Sequence, residues 1–170
     1  LTKEDEAIIW RGPMLMGALQ QMLFQVQWGE LDCLIIDLPP GTGDVQLSLS
    51  QKAEVDGAII VSTPQDIALL DARKGIDMFK RLNVPILGLI ENMAVHVCTN
   101  CGHAEHIFGH GGVAAEAVKL GVPLLGELPL EMDVRVAGDS GTPVVVSNPD
   151  TTSAQAFRKL ARGLVTAGIA

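Results

Sequence analysis

The chain is poor in aromatic side chains and in cysteine. Its 170 residues contain no tyrosine, and aromatics make up 4% of the sequence, although hydrophobic residues as a whole make up 48%. The core must therefore be mainly aliphatic, which suits the buried strands of a parallel α/β sheet. Three cysteines are too few, and of the wrong number, for a disulfide framework. They indicate a reducing compartment, which we predict to be the cytoplasm.

Basic clusters and long apolar segments are also missing. The net charge is −8, and no run of lysine or arginine stands out, so nucleic acid and anionic membrane surfaces are not expected as partners. The apolar runs have the length of strands, and none would span a membrane. The first residues, LTKEDEAII, lack the basic region and apolar core of a signal peptide. Because the sequence does not begin with methionine, we expect the N-terminal part of the protein to be missing.

A phosphate-binding loop is the third absence. No segment matches G-x-x-x-x-G-K-[ST], whose backbone N–H groups and lysine hold nucleotide phosphates. Nevertheless DLPPGTGD, from Asp37 to Asp44, follows an apolar run and has the composition of a nucleotide-sensing loop. A carboxylate at the end of a strand can hold Mg²⁺, and glycines let backbone N–H groups approach a phosphate. The alternative interpretation is a strand-ending turn without a ligand.

Strand-like and helix-like segments alternate along the chain. Short runs rich in Val, Ile and Leu predict strands, and apolar residues at i, i+3, i+4 and i+7 predict helices. This alternation predicts βαβ units, and hence an α/β fold with a mainly parallel sheet flanked by helices in one domain, 1–170. Ligands of such sheets bind beyond the carboxyl ends of strands, where we expect Asp37, Thr63 and Asn92. The predicted strands are 31–37, 57–62, 84–92, 124–130 and 143–147, and the predicted helices begin near residues 12, 45, 64, 111, 134 and 152.

Each longer helix is predicted to turn one apolar stripe to the core. Thr63 is expected to cap the helix that begins at Pro64. Asp71 and Arg73 on that helix are interpreted as a surface pair, and the four histidines as solvated loop residues. The predicted stripes are Leu15, Ala18, Leu19, Met22, Leu23 and Val26; Leu69, Ala72, Ile76 and Phe79; and Ala156, Phe157, Leu160, Ala161 and Leu164.

A C-x-x-C pair lies in an irregular insertion, 93–110, which we predict to be a metal-binding loop. The spacing of Cys98 and Cys101 lets both thiolates reach one metal or cluster. A four-iron cluster needs four ligands, so either histidines or a second subunit would complete the site. Cys33 is no candidate, because it lies in the predicted strand 31–37 and is expected to be buried.

Two other interpretations of the cysteine pair stay open on the residues alone. Zinc would be bound by Cys98 and Cys101 together with His103 and His106, as a tetrahedral set within one chain. A redox dithiol is less favoured, because a thioredoxin-like C-x-x-C opens a helix and this one follows a strand and an irregular loop.

Longer motifs give the chain a family resemblance. The segments WRGP, WGELD, DLPPGTGD, TPQDIALLDARKGIDMFKRLNVPILGLIENM, CTNCG and IFGHGG occur in this order. Over essentially all 170 residues the chain resembles the Mrp/ApbC family of iron–sulfur cluster carrier ATPases, relatives of MinD and of the nitrogenase iron protein. The resemblance implies the C-terminal portion of a P-loop NTPase of the deviant-Walker, SIMIBI-like class. It also implies a homodimer that binds ATP with Mg²⁺, and a [4Fe–4S] cluster bridged between subunits and delivered to apo-proteins.

The resemblance also implies roles for single residues. Asp37 resembles the Walker B aspartate, which is catalytic and contacts the nucleotide. Asn92 resembles the residue that reads adenine, and Pro129 to Arg135 the loop on the adenine side. The family's Walker A motif lies upstream of the point where this chain begins, so we expect ATP hydrolysis from the intact protein and not from this chain alone. The remaining nucleotide-side residues implied are Gly41, Thr42, Gly43 and Asp44 of the switch loop, and the implied cluster ligands are Cys98 and Cys101.

Two functions of other classes compete with the carrier. One is a zinc-bound, non-enzymatic interaction module. The other is a MinD-like positioning ATPase on membranes, which is disfavoured because the last helix carries only Arg158, Lys159 and Arg162 as basic residues.

Overall fold

The structure of the chain, a computed structural model, describes residues 12–39 and 43–169. It divides into two compact units, Leu1–Val55 and Asp56–Ala170. The assignment of 1–170 to a single domain stays a prediction.

The first unit contains two predicted helices that pack against each other. α1 spans Gly12–Phe24 and α2 spans Asp44–Lys52. Leu19 is buried, whereas Met22 and Val26 of the same predicted stripe are exposed. Val26 also lies beyond the last residue of α1, so the helix is shorter, and its buried face narrower, than the sequence predicted.

The predicted strand at 31–37 is wrong. No strand is assigned to these residues, and Leu31, Leu34 and Ile35 are exposed, Ile35 to 85%. An apolar run becomes a strand only where a neighbouring backbone pairs with its N–H and C=O groups, and apolar composition alone does not supply that partner. For the same reason Cys33, which was expected to be buried in this strand, is exposed.

The second unit is a parallel sheet with helices packed against it. Its three strands, β1 (Ala58–Ser62), β2 (Ile86–Glu91) and β5 (Leu124–Glu127), lie side by side in that order, and both pairings are parallel. The prediction of an α/β fold with a mainly parallel sheet flanked by helices is therefore confirmed. In chain order the elements of this unit are β1 (Ala58–Ser62), α3 (Asp66–Arg81), β2 (Ile86–Glu91), β3 (His96–Val97), β4 (Ala104–Glu105), α4 (Gly112–Leu120), β5 (Leu124–Glu127), α5 (Met132–Asp139), α6 (Val144–Ser147) and α7 (Thr152–Thr166).

The core of this unit lies between the sheet and the helices α3 and α4. Helix α3 packs on β1 and α4 packs on β2. Leu69, Ile76 and Phe79 form the buried face of α3, as predicted, while Leu89 of β2 and Val113 of α4 are at most 1% exposed. β2 is the central strand of the three, and the cysteine-bearing insertion leaves from its carboxyl end.

The helix boundaries follow from backbone conformation more than from the predicted cap. Helix α3 begins at Asp66 with Gln65 as its N-cap residue. Thr63 does not cap it, and instead donates its hydroxyl proton to Gln65 Oε1 at 3.1 Å. Gly111 and Gly121 flank α4 at φ 68° and 66°, in the left-handed conformation that glycine adopts without strain.

The C-terminal part differs from the prediction in two elements. The apolar run 143–147, predicted as a strand, forms helix α6, because the Pro143 and Val144 carbonyls accept bonds from the N–H groups of Ser147 and Asn148. A β-branched run this short does not distinguish the two conformations by its periodicity. On α7, Phe157 is 38% exposed although it was predicted to face inward. Within residues 12–39 and 43–169, no helix is long and apolar enough to cross a membrane.

Candidate functional site

The two cysteines of the C-x-x-C pair lie in the turn of a small hairpin, residues 96–105, which we call the cysteine hairpin. Strands β3 and β4 pair antiparallel, with His96 opposite Glu105. Beyond them the Cys98 N–H donates to the His103 carbonyl at 2.9 Å, and the Gly102 N–H donates to the Cys98 carbonyl at 2.8 Å. Gly102 has a φ of 72°, which a residue with a side chain adopts only with strain. The hairpin therefore holds both thiols in one closed turn.

The turn lowers the pKa of the Cys98 thiol. The largest cause is a hydrogen bond from the Cys101 backbone N–H, followed by one from Asn100 and by the Cys101 side chain, while burial acts in the opposite direction. Backbone N–H groups aimed at sulfur stabilise the thiolate, which is the form that binds metals. Cys98 is half-buried and Cys101 is exposed, so both sulfurs can meet a thiophilic metal or cluster that arrives from solvent.

The histidines do not complete a metal site with these thiols. Among residues 12–39 and 43–169, no group of three or more His, Cys, Asp or Glu side chains is arranged to hold a metal ion. His106 and His96 were predicted to be solvated, but their Nδ1 atoms lie 2.6 Å and 3.1 Å from the carbonyl oxygens of Ala94 and Leu130. Since a carbonyl only accepts, each Nδ1 carries the proton. The tetrahedral zinc set is not assembled, and the zinc interpretation is not favoured.

The base of the cysteine hairpin lies at the carboxyl end of the sheet, beside the residues expected to face adenine. The Asn92 N–H donates to the Ser62 carbonyl at 2.8 Å, and the Leu128 N–H donates to the Glu91 carbonyl at 2.8 Å. Asn92, which follows β2, and Pro129, which follows Leu128, are thus brought to one end of the sheet. The Asn92 Oδ1 atom accepts from the Met93 N–H at 3.0 Å.

Arg135, the last residue of the predicted adenine-side loop, lies on helix α5. Its Nη1 atom is 2.6 Å from Asp139 Oδ2, one helical turn away, and both side chains are exposed. Neither its role nor that of Asn92 and Pro129 in binding a nucleotide is tested by this geometry, and these roles stay predictions.

The predicted nucleotide-sensing loop lies in the first unit. Asp37 is exposed, Gly43 is the N-cap residue of α2, and Asp44 is the first residue of that helix. The buried Gln46 side chain donates to the Pro39 carbonyl at 2.8 Å and so ties the loop to α2. Gly41 and Thr42 lie outside the described residues. The roles assigned to this loop stay predictions.

Sequence reasoning missed a buried carboxylate, Glu91, the last residue of β2. It is 0% exposed, and its oxygens accept from the backbone N–H groups of Gly111 and Val113 at 3.3 Å and 2.9 Å. The sequence offered one signal: an acidic residue ends the apolar run ILGLIE, and a strand that is buried on both faces turns such a side chain toward the core.

A second buried carboxylate, Glu116, corrects the interpretation of Asp71 and Arg73 as a pair. Arg73 Nε and Nη2 donate to the two oxygens of Glu116 at 2.8 Å and 2.7 Å, and Asp71 instead pairs with Lys74 at 3.0 Å. Residues two apart on a helix do not face each other. The Arg73 guanidinium is the main cause that lowers the pKa of Glu116, with Lys119 adding to it, while burial acts the other way.

Known proteins similar to this chain include iron–sulfur cluster carriers. The family model "ParA: NUBPL iron-transfer P-loop NTPase" matches residues 1–165. An iron–sulfur cluster carrier protein of Pseudomonas fragi is 52% identical over 168 residues, which cover 99% of this chain and 58% of that protein. The iron–sulfur cluster transfer protein NUBPL of Mus musculus is 50% identical over 165 residues, 97% of this chain and 52% of that protein. The chain thus spans about half the length of these curated relatives.

Solved structures with a similar fold include nucleotide-binding proteins. A nucleotide-binding protein from Archaeoglobus fulgidus in complex with ADP is similar with a TM-score of 0.66 and 40% identity, covering 75% of this chain and 53% of that one. The septum site-determining protein MinD of Pyrococcus horikoshii, complexed with Mg-ADP, is similar with a TM-score of 0.66 and 27% identity, covering 91% and 56%. The fold is therefore that of MinD-like P-loop NTPases. With the family model matching 165 of its residues, the chain belongs to the NUBPL iron-transfer P-loop NTPase family.

Proposed function

We propose that the protein carries an iron–sulfur cluster and delivers it to apo-proteins, with Cys98 and Cys101 as the cluster ligands. The observation that carries this proposal is the closed turn of the cysteine hairpin, in which backbone N–H groups lower the pKa of Cys98. A thiolate that forms readily and is not deeply buried both accepts a cluster and releases it. The names of the relatives, iron–sulfur cluster carrier and transfer proteins, support the same function.

The ligand count favours a homodimer as the active form. One chain offers two thiols at the hairpin, and the part of the chain that the structure describes assembles no third ligand there. A [4Fe–4S] cluster is held by four cysteine thiolates. Two copies related by a two-fold axis supply four thiolates without any further residue. A cluster shared between subunits is also more exposed than one enclosed by a single chain, which suits transfer better than electron transport.

A nucleotide site is proposed as the control of cluster release. Asp37 would hold Mg²⁺ and contact the phosphates of ATP, and the loop from Gly41 through Thr42 and Gly43 to Asp44 would respond to the terminal phosphate. Asn92, Pro129 and Arg135 would face adenine. Solved relatives contain ADP and Mg-ADP, which supports nucleotide binding, and ATP hydrolysis is proposed for the intact protein. We place the carrier in the cytoplasm on the reducing chemistry that its free thiols require.

Anaerobic reconstitution with iron and sulfide tests the cluster proposal. We expect a brown dimer that absorbs near ~400 nm, where thiolate-ligated clusters absorb, with about four irons per two chains. Cys98→Ser and Cys101→Ser should each abolish the absorbance. Cys33→Ser is the matched control, because Cys33 is an exposed thiol outside the hairpin, and it should leave the yield unchanged.

A colourless monomer that binds one zinc, lost in His103→Ala or His106→Ala, would contradict the carrier proposal. Nucleotide control is tested separately, by the rate at which the loaded intact protein activates an apo iron–sulfur enzyme. ATP should change that rate, and Asp37→Asn should remove the change. Transfer that is indifferent to ATP, ADP and this variant would refute the coupling and leave the cluster proposal intact.

A further inference from the structure

The carboxylate of Glu91 closes the insertion that carries the cysteine hairpin. Glu91 is the last residue of β2, and the insertion follows it in the chain. The two N–H groups that donate hydrogen bonds to Glu91 lie 20 and 22 residues further along. The side chain therefore joins the entry and the exit of the insertion. It is 0% exposed, so water does not compete for these hydrogen bonds.

This carboxylate takes the place of a cap for helix α4. The N-cap residue, Gly111, has no side chain that could accept a hydrogen bond, and the first turn of α4 contains no acidic residue. The first N–H groups of a helix carry partial positive charge and need an acceptor. Among residues 12–39 and 43–169, no lysine or arginine pairs with Glu91, so the start of α4 is its counter-charge.

Further hydrogen bonds connect the residues on either side of the cysteine hairpin to each other and to the segment after β5. The Ala94 N–H donates to the Leu128 carbonyl at 3.0 Å, and the Leu130 N–H donates to the Val95 carbonyl at 2.8 Å. His106 Nδ1 donates to the Ala94 carbonyl at 2.6 Å. These contacts hold the hairpin beside the end of β5. Each of them involves a residue of the insertion, whose two ends are joined by Glu91, so we expect the contacts to depend on Glu91.

We propose that Glu91 is the positioning residue of the cysteine hairpin: by binding the start of α4 it fixes the direction in which Cys98 and Cys101 face a second copy of the chain. The inference rests on the proposed cluster-bridged dimer. Glu91 does not contact the thiols, and the bonds within the turn do not involve it. Its loss is therefore expected to leave the chemistry of each thiol intact and to misplace the pair as a whole.

Glu91→Gln tests this role, with Glu116→Gln as the matched control. Both variants replace a buried carboxylate by an amide of the same shape. Glu91 accepts hydrogen bonds from the start of α4, whereas Glu116 lies on α4 and pairs with Arg73 of α3. After anaerobic reconstitution of the intact protein, a chelator challenge is followed by absorbance near ~400 nm. We expect Glu91→Gln to lose the cluster about 10- to 100-fold faster than the unmodified protein, a factor taken from the loss of metal affinity when groups that orient metal ligands are replaced.

The control should keep its cluster as long as the unmodified protein does, even where both variants lose similar amounts of stability to urea. Equal lifetimes in the two variants would overturn the inference. If Glu91→Gln does not fold, Glu91→Asp keeps the charge but withdraws it by one methylene. An intermediate lifetime then supports the positioning role, and an unchanged one contradicts it.

Hydrogen exchange of the metal-free protein gives a readout that needs no cluster. In Glu91→Gln we expect faster exchange at the Ala94 and Leu130 amides, which tie the hairpin to β5, and unchanged exchange at the Cys98 amide, which bonds within it. Unchanged exchange at all three would refute the role of Glu91. If the expected pattern appeared but no cysteine-dependent cluster formed in any variant, the proposed function would fail and the positioning of the hairpin by Glu91 would stand.

Discussion

Cys98 and Cys101 share one turn but differ in their surroundings. The N–H groups of Cys101 and Asn100 are directed at the Cys98 sulfur and lower its pKa, which raises the thiolate fraction at neutral pH. We predict that the pH midpoint for alkylation of Cys98 lies below the value of about 8.5 for an ordinary cysteine thiol. Mass spectrometry of iodoacetamide-treated protein across a pH series measures this midpoint.

Unfolding supplies the control for this prediction. In concentrated urea the turn is lost, so the midpoint for Cys98 should rise to that of a free thiol. A folded-state midpoint at or above the unfolded one would contradict the stabilisation of the thiolate by the backbone. The same series in Glu91→Gln should give an unchanged midpoint, since the turn does not depend on Glu91.

Spacing along the sequence suggests which residues bear chemistry, but it does not show which residues hold them in place. The spacing of Cys98 and Cys101 predicts a ligand pair, because two thiols with two residues between them can reach one metal. Glu91 was missed because its partners are backbone N–H groups 20 and 22 residues away, and backbone donors leave no mark on the sequence. Glu116 was missed for a related reason, as its partner Arg73 is 43 residues away.

Helices α3 and α4 are joined by the ion pair between Arg73 and Glu116. The pKa of Glu116 is lowered in the folded protein, so the unfolded chain binds its proton more readily. The stabilisation is therefore present above the ordinary glutamate pKa, about 4.3, and is lost as the pH falls through the lower folded value. We predict that Glu116→Gln lowers the urea midpoint at pH 7 and that its difference from the unmodified protein shrinks steadily below about pH 4.3. A difference that stays constant down to acid unfolding would refute this role.

The start of α4 also packs closely on the loop after β1. A Cβ atom added at Gly112 would lie 2.4 Å from the Pro64 carbonyl oxygen and 3.1 Å from Leu69 Cδ1. Because one of these neighbours is backbone, the helix must shift, and we predict that Gly112→Ala costs about 1–3 kcal/mol of unfolding free energy.

Gly75 offers the matched control for that substitution. It lies within α3, and an added Cβ would meet no atom within 4 Å. Gly75→Ala should therefore stabilise the protein by about 0.5–1 kcal/mol through helix propensity. Urea unfolding measures both changes, and destabilisation of equal size at the two positions would contradict the close packing at Gly112.

Elements were predicted well where periodicity and end signals agreed. The alternation that gave β1, α3, β2 and α4 was correct because each has a long apolar stripe or a turn residue at its end. The runs 31–37 and 143–147 were assigned wrongly as strands. Their composition suits a strand, but the first is not paired in a ladder and the second closes local turn bonds instead. Pairing partners are tertiary facts that a single segment does not encode.

At the scale of the whole molecule, the ligand count predicts that chains without the two cysteines lower the cluster yield of the unmodified chains with which they are mixed. If Cys98 and Cys101 of two copies share one cluster, mixing equal amounts of unmodified and Cys98→Ser/Cys101→Ser chains before reconstitution leaves only about a quarter of random dimers with four thiols. The cluster yield per unmodified chain should then fall to about half of its value without the mutant chain. Iron content and absorbance near ~400 nm measure the yield.

A site contained in one chain would behave differently. The mutant chains would then be bystanders, and the yield per unmodified chain would stay constant at every mixing ratio. Cys33→Ser chains provide the control, because they keep both hairpin thiols and should substitute freely for unmodified chains in the same mixtures.

The local closure of the cysteine hairpin has a consequence for the order of folding. The pairing of His96 with Glu105 and the bond from Cys98 to His103 span ten residues or fewer, and loops of about ten residues close within ~10–100 ns. The parallel pairing of β2 with β5 and the hydrogen bond that the Val113 N–H donates to Glu91 join residues much further apart and form later. The two thiols therefore meet early, on a chain whose sheet is still incomplete. We expect each chain to present its pair of thiols before the dimer surface exists, so that the shared cluster forms only when two such chains meet.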